Sequence, residues 1–328
     1  MTTQSKSTST QPTEVTVTTT EPTTTTVTTA TTLPTAATTT AGTTKTTKTT
    51  MTTRTTQKTT APTVSEPEKP EEQDTIYVLS LGNSYAMDAH AYLSRLAEHE
   101  GKRIFTINLY HSGCSLSKHY DFWINGEAAY NYEVNGKIDW NSHVSLMDVL
   151  PTQKWDIITL QESSYASCGS DAWDRTIVQA FLRLFAQEQP QARVMIHQTW
   201  AYADGYADHD QKTGGSMASM WQRIEQNTAQ AARDTGLPII PCGHAMFHAQ
   251  EKLNGGGYSF SSIQRDGSHA EEAWGRYMLA LIWYSVITGE KPSNTFDGFN
   301  SWFIEDDATR KMIYDCAMDA MRSCYPNW

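Results

Sequence analysis

Five short apolar runs, each followed by a stretch in which apolar residues recur every three or four positions, decide the fold class of this chain. The runs are 76–81, 104–110, 156–161, 193–198 and 237–241. Unbroken apolar character over five to seven residues fits strands buried on both faces, which is how parallel sheets read. Between the runs, Ala89, Tyr92, Leu93, Leu96 and Ala97 keep helical spacing and stop at Gly101. Ile177, Phe181, Leu182 and Phe185 do the same before Pro190, and Met217, Met220, Trp221, Ile224 and Ala231 before Gly236. Ala270, Ala273, Trp274, Tyr277, Met278 and Leu281 mark another helix, with Glu271 and Glu272 suiting its N-terminus. Met312, Ile313, Cys316, Ala317 and Ala320 mark the last. This alternation predicts an α/β, three-layer αβα sandwich around a central parallel five-stranded sheet, with ligands at the C-terminal strand ends.

The pattern starts near Asp74. About half of residues 1–60 are Thr, mixed with Pro, Lys and Ala, a composition that cannot bury a core and reads as a disordered, mucin-like linker over 1–73. Six basic and six acidic residues cancel before position 74, so the net charge of −11 falls entirely on 74–328. An acidic domain argues against nucleic acid and anionic membrane as partners. About 255 residues make one large domain with loop insertions. No apolar run is long enough to span a bilayer, and Met1-Thr2-Thr3-Gln4 does not open a signal peptide. A Thr-rich tail beside one domain suggests part of a secreted, multi-modular polypeptide, cell-surface or cellulosome-associated, whose other modules lie outside this chain. Five cysteines leave at least one unpaired. Cys316 and Cys324, about 12 Å apart along a helix axis, cannot bridge. Cys114 and Cys168 fall in loops after strands and are either a disulfide or two thiols. No zinc-type Cys/His spacing, phosphate loop or dinucleotide fingerprint is present, so no metal or organic cofactor is implied.

Chemistry concentrates in two short segments. Gly82-Asn83-Ser84 follows the first apolar run, and Asp266-Gly267-Ser268-His269 precedes the helical run from Ala270. A serine hydroxyl is a weak nucleophile until an imidazole accepts its proton, and the imidazole needs a carboxylate to fix its tautomer and stabilise its cation. Asp266 and His269, three apart, can meet across one turn. Ser84 sits at a strand-to-helix junction, where a preceding glycine allows a sharp exit and helix-start N–H groups favour negative charge. The plainer alternatives are a structural serine, and a helix cap followed by a surface histidine.

With these blocks in this order, the chain resembles the SGNH/GDSL hydrolase superfamily over roughly residues 74 to 290. That family carries its nucleophile in a Gly-Asp-Ser block near the N-terminus and its acid and base in Asp-x-x-His near the C-terminus. Asn83 here replaces the usual Asp. Ser112-Gly113-Cys114 is similar to the second family block, which implies Gly113 as an oxyanion donor beside the N–H of Ser84. The third block, usually Gly-x-Asn-Asp, reads Leu160-Gln161-Glu162-Ser163-Ser164, and a Gln-x-Glu version known in some carbohydrate esterases of the superfamily implies Gln161 as a further donor. A core amide, and for Gly113 a turn glycine, are the structural alternatives.

The loops carry Trp123, Trp140, Trp173, and Trp200 with Tyr202 and Tyr206 after the fourth run. Sugars stack on such faces, whereas a lipase mouth is aliphatic. Trp200 and Trp123 are thus candidate sugar platforms, and His119 and His111, flanking the second block, candidate substrate contacts; packed aromatics and buried, bonded histidines are the alternatives. The expected function is a serine esterase removing acetyl or other small acyl groups from an acylated polysaccharide or oligosaccharide. A non-catalytic carbohydrate-binding module on the same fold, and a lipase or thioesterase of the superfamily, are the other readings.

Overall fold

The computed structural model describes residues 74–299 and 306–328. The expectation of a linker over 1–73 lies outside the described residues. Seven strands form one sheet: β1 (Thr75–Gly82), β2 (Arg103–Tyr110), β3 (Tyr130–Val134), β4 (Lys137–Val144), β5 (Ile157–Gln161), β6 (Arg193–His197) and β7 (Ile239–Ile240). Their order is β4-β3-β2-β1-β5-β6-β7. The five anticipated strands pair in parallel, β1 with β2 and β5, β5 with β6, and β6 with β7. β3 and β4 extend the sheet antiparallel at the β2 edge. They were not anticipated, because β4 alternates partly and fully exposed residues and has no apolar run. The parallel strands follow the flavodoxin-like order, which reverses direction beside β1, so the loop after β1 opens at the switch point.

Alternate strand residues feed two cores. Val78, Ile104, Ile157 and Met195 meet α2 (Leu93–His99), α8 (Cys242–Asn254), α9 (Trp274–Thr288) and α10 (Asp307–Cys324) on one face. Leu79, Leu81, Ile107, Leu109, Ile158, Leu160 and Ile196 meet α3 (Leu116–Ile124) and α6 (Arg175–Glu188) on the other. α9 is buried almost all round, so it reads as apolar on every face. Its start is held by Glu271, whose Oε2 accepts the N–H groups of Ala273 and Trp274. The remaining helices are α1 (Ser84–His90), α4 (Leu146–Val149), α5 (Ser164–Ser167) and α7 (Met217–Thr235), the last ending on left-handed Gly236. α8 was not marked out by the sequence pattern. Among the described residues no helix is long and apolar enough to cross a membrane.

The first face is not wholly apolar. Ser80, Asn108, Thr159, Gln161 and His197, at alternate positions near the strand ends, are all buried there. They form a polar stripe running across the sheet beneath α1.

Candidate active site

Ser84 opens α1 directly after β1, with Asn83 as the cap: its Oδ1 accepts the N–H of Tyr85 at 2.9 Å. His269 Nε2 lies 2.9 Å from Ser84 Oγ, and its Nδ1 lies 2.7 Å from Asp266 Oδ2. An Nδ1–H donated to the carboxylate leaves Nε2 free to accept the serine proton. Asp266 Oδ1 also accepts the N–H groups of Ser268 and His269, at 3.0 and 2.7 Å. Partial burial raises the Asp266 carboxyl, but the bonds from His269 and Ser268 outweigh it and hold it below its ordinary range. The turn between the two residues requires Gly267. Its φ is +83°, and a Cβ there would come within 2.8 Å of the Tyr206 ring.

The catalytic turn is secured from below by α1 itself. Asp88, one helical turn after Ser84 and fully buried, accepts from the Ala270 N–H at 3.0 Å, from Arg265 at 3.0 Å and from Arg276 Nε at 2.9 Å. Tyr85 bonds Ser268 Oγ at 2.9 Å, and its ring meets His269 edge-on at 5.9 Å. Burial pushes the Tyr85 hydroxyl strongly up, so it stays a neutral donor or acceptor. Trp200 stacks on Tyr85 and donates its Nε1–H to the Ser268 carbonyl at 2.7 Å. Sequence reasoning missed Asp88; a carboxylate four positions after the serine on a helix that is otherwise mostly apolar was the available signal.

The polar stripe holds the backbone before Ser84. Gln161 Nε2 donates to Asn83 Oδ1 at 2.5 Å, and Gln161 Oε1 lies 2.8 Å from His197 Nδ1. Burial lowers His197 to about 3, so the ring is neutral and Nδ1–H is the donor. Asn108 Nδ2 bonds the Asn83 carbonyl and the buried Glu133 carboxylate. Gly82 is required by proximity: a Cβ would lie 2.6 Å from Ala86 Cβ and 2.8 Å from Asn108 Oδ1. Here the expectation for Gln161 is corrected. It is 1% exposed, and the amide nitrogen offered to an oxyanion is committed to Asn83, so it positions the turn before Ser84 rather than facing substrate.

Gly113 lies one residue from a direct tie to the Ser84 turn. It is exposed, at φ +60°, in the loop after β2. Asn83 Nδ2 reaches the carbonyl of the next residue, Cys114, at 3.1 Å, a bond an aspartate could not donate. Among the described residues no acceptor takes the N–H of Gly113 or of Ser84. Glu162 anchors the far side of that loop, accepting the N–H groups of Leu116 at 2.9 Å and Trp173 at 3.2 Å. Burial pushes its carboxyl up to about 7, against the pull of those two bonds.

The three proposed substrate contacts fall elsewhere. Trp200 is fully buried beneath the Asp266–His269 turn, with its indole N–H donated to the Ser268 carbonyl. His119 is fully buried against Tyr130, bonded to its hydroxyl at 3.0 Å, and held down to about 3 by burial. Trp123, on α3 and partly buried, stacks on the core residue Phe181 at 5.4 Å. His111 bonds the Ala129 carbonyl. The aromatics that do reach solvent near the strand ends are Trp140, 61% exposed and edge-on to Tyr110, and Tyr165, 38% exposed. All five cysteines, Cys114 and Cys168 included, are free thiols. Among the described residues no group of three His, Cys, Asp or Glu side chains could hold a metal ion.

Residues 77–308 match the family described as "Domain of unknown function (DUF4886)". The chain belongs to the DUF4886 family. A DUF4886 family protein from Bacteroides uniformis, 28% identical, has a similar solved structure with a TM-score of 0.66, covering 78% of this chain and 97% of that one. A candidate SGNH hydrolase from Slackia heliotrinireducens is 23% identical at a TM-score of 0.47, covering 65% and 98%. An acetyl xylan esterase is 14% identical at 0.44, covering 64% and 99%. No curated protein matches the chain. In this DUF4886 member Ser84 follows the first strand and Asp-x-x-His precedes a long buried helix, as the resemblance to SGNH hydrolases led one to expect.

Proposed function

We propose that this chain is a serine esterase of the SGNH type that removes acetyl or another small acyl group from a carbohydrate. The observation that carries the reading is the continuous relay Ser84–His269–Asp266, with both bonds below 3 Å. Ser84 Oγ would bond to the ester carbonyl carbon as its proton passes to His269 Nε2. The N–H groups of Ser84 and Gly113 would hold the oxyanion. The bond from that carbon to the alcohol oxygen then breaks, and the departing oxygen takes the proton from His269. Water repeats the sequence on the acyl-serine, releasing the acid and restoring Ser84. Asp266 orients the imidazole throughout and stabilises its cation.

A carbohydrate substrate is supported by side chains open to solvent: Asp208 is exposed, and Trp140 and Tyr165 are 61% and 38% exposed. Carboxylates and open aromatic rings suit a hydroxylated ligand better than a fatty chain. The test is to incubate the protein with acetylated oligosaccharides and follow deacetylation by mass spectrometry, with Ser84→Ala as control. Release of acetate that vanishes in Ser84→Ala supports the reading. Equal release by both proteins would overturn it, and binding without release by either would favour the non-catalytic binding module.

A further inference from the structure

We propose that the cavity of about 440 Å³ lined by Tyr165, Tyr202, Ala207, Asp208 and Asp210 receives the alcohol half of the ester, and that this alcohol is a neutral sugar ring. The proposal rests on the esterase reading of Ser84. Tyr165 stands on α5, just past the end of β5, and the other lining residues belong to the loop after β6, so the cavity opens at the same sheet edge as Ser84. That loop is tied to the catalytic turn. The Ala203 N–H donates to the Gly267 carbonyl at 2.8 Å, and the Tyr206 ring closes on the face of Gly267. Tyr202 in turn packs on Tyr206 at 4.7 Å. The loop that lines the cavity is therefore anchored on the segment that carries Asp266 and His269.

The lining selects by charge. Asp208 and Asp210 disfavour an anionic alcohol such as a phosphorylated or uronic one, and their carboxylates are poor company for an alkyl chain. A cationic alcohol meets a protein cation already in place: Lys212 lies over a face of Tyr165, 4.5 Å from its centroid, and Asp210 accepts from the Tyr165 hydroxyl at 2.8 Å. What remains is an aromatic wall at Tyr202 and an exposed acceptor at Asp208, the pair of features that hold an uncharged polyol by stacking and by accepting its hydroxyls.

Binding can be read without turnover by using Ser84→Ala and titrating it calorimetrically with partially acetylated xylo-oligosaccharides. The expected result is saturable binding that weakens at least tenfold when Tyr202→Ala is added and several-fold when Asp208→Asn is added. Asp208 is exposed, so its variant remains informative if Tyr202→Ala misfolds. Acetylcholine, the cationic ester probe, should bind more weakly than the sugar ester. Unchanged affinity in both variants, tighter binding of acetylcholine, or no binding of the oligosaccharides would overturn the subsite. Hydrolysis of p-nitrophenyl acetate by Ser84→Ala at the wild-type rate would instead sink the nucleophile assignment, a separate failure.

Discussion

The two halves of the relay are held by opposite means. On the nucleophile side, Asn83, Gln161, Asn108 and His197 are all at most 2% exposed, and every contact that fixes Ser84's backbone is made in the interior. On the acid–base side, the His269 and Asp266 side chains are 30% and 49% exposed. The difference shows how each residue can do its work. A nucleophile on a sharp turn needs a fixed backbone, which buried and fully bonded amides give. On the esterase reading the His–Asp pair accepts and returns a proton near the surface, and its order comes from backbone N–H groups and from Asp88, Tyr85 and Trp200 beneath it.

Asp266→Asn strikes the exposed half hardest. The asparagine offers no charge to stabilise the imidazolium and admits the wrong tautomer, so kcat should fall by up to about 10⁴ with the fold intact. A loss under tenfold would mean that His269 is oriented by its surroundings alone. Removing Asp88 tests whether the exposed half is supported from inside. Asp88→Ala strands Arg265, Arg276 and the Ala270 N–H, and should cost about 3–5 kcal/mol in a urea titration, as breaking a buried charge pair does. A cost under 1 kcal/mol would separate α1 from the catalytic turn.

Gln161→Ala sharpens the buried half. Loss of its bonds to Asn83 and His197 should lower stability by about 1–3 kcal/mol. Turnover per folded molecule should change far less than the roughly 10²- to 10³-fold expected of a lost oxyanion donor. The last effect, confined to a pH window, concerns Glu162. Its folded carboxyl titrates near 7 against an ordinary 4.5, so the folded state binds the extra proton between those values. Its ionisation therefore costs stability that grows as pH rises from about 4.5 to about 7, and no cost is present below. At about 1.4 kcal/mol per pKa unit the whole term is a few kcal/mol at most. Urea midpoints of wild type and Glu162→Gln should accordingly diverge across that window, and parallel curves would contradict the assignment.

The parallel sheet was legible because its strands are apolar on both faces, and Ser84, Asp266 and His269 because short blocks carry them. The hairpin was passed over although Asn135-Gly136, both at positive φ, is the sequence signal of a two-residue turn. Its strands lack an apolar run because one edge of the sheet faces solvent. The stripe through Ser80, Asn108, Thr159, Gln161 and His197 was hidden for the opposite reason: single polar residues inside apolar runs are averaged away by any pattern over hydropathy. Trp200 and His119 were taken for surface contacts because residue type does not reveal burial, and a tryptophan whose N–H is donated to the Asp266–His269 turn reads the same as one that stacks on sugar.

The most direct measurement of the central claim is covalent labelling with a fluorophosphonate, which reacts only with a serine activated by its own base. Mass spectrometry of the intact protein and of its peptides should find one adduct, on Ser84, formed far more slowly in His269→Ala and absent in Ser84→Ala. An unlabelled protein, or an adduct on another serine, would contradict the account.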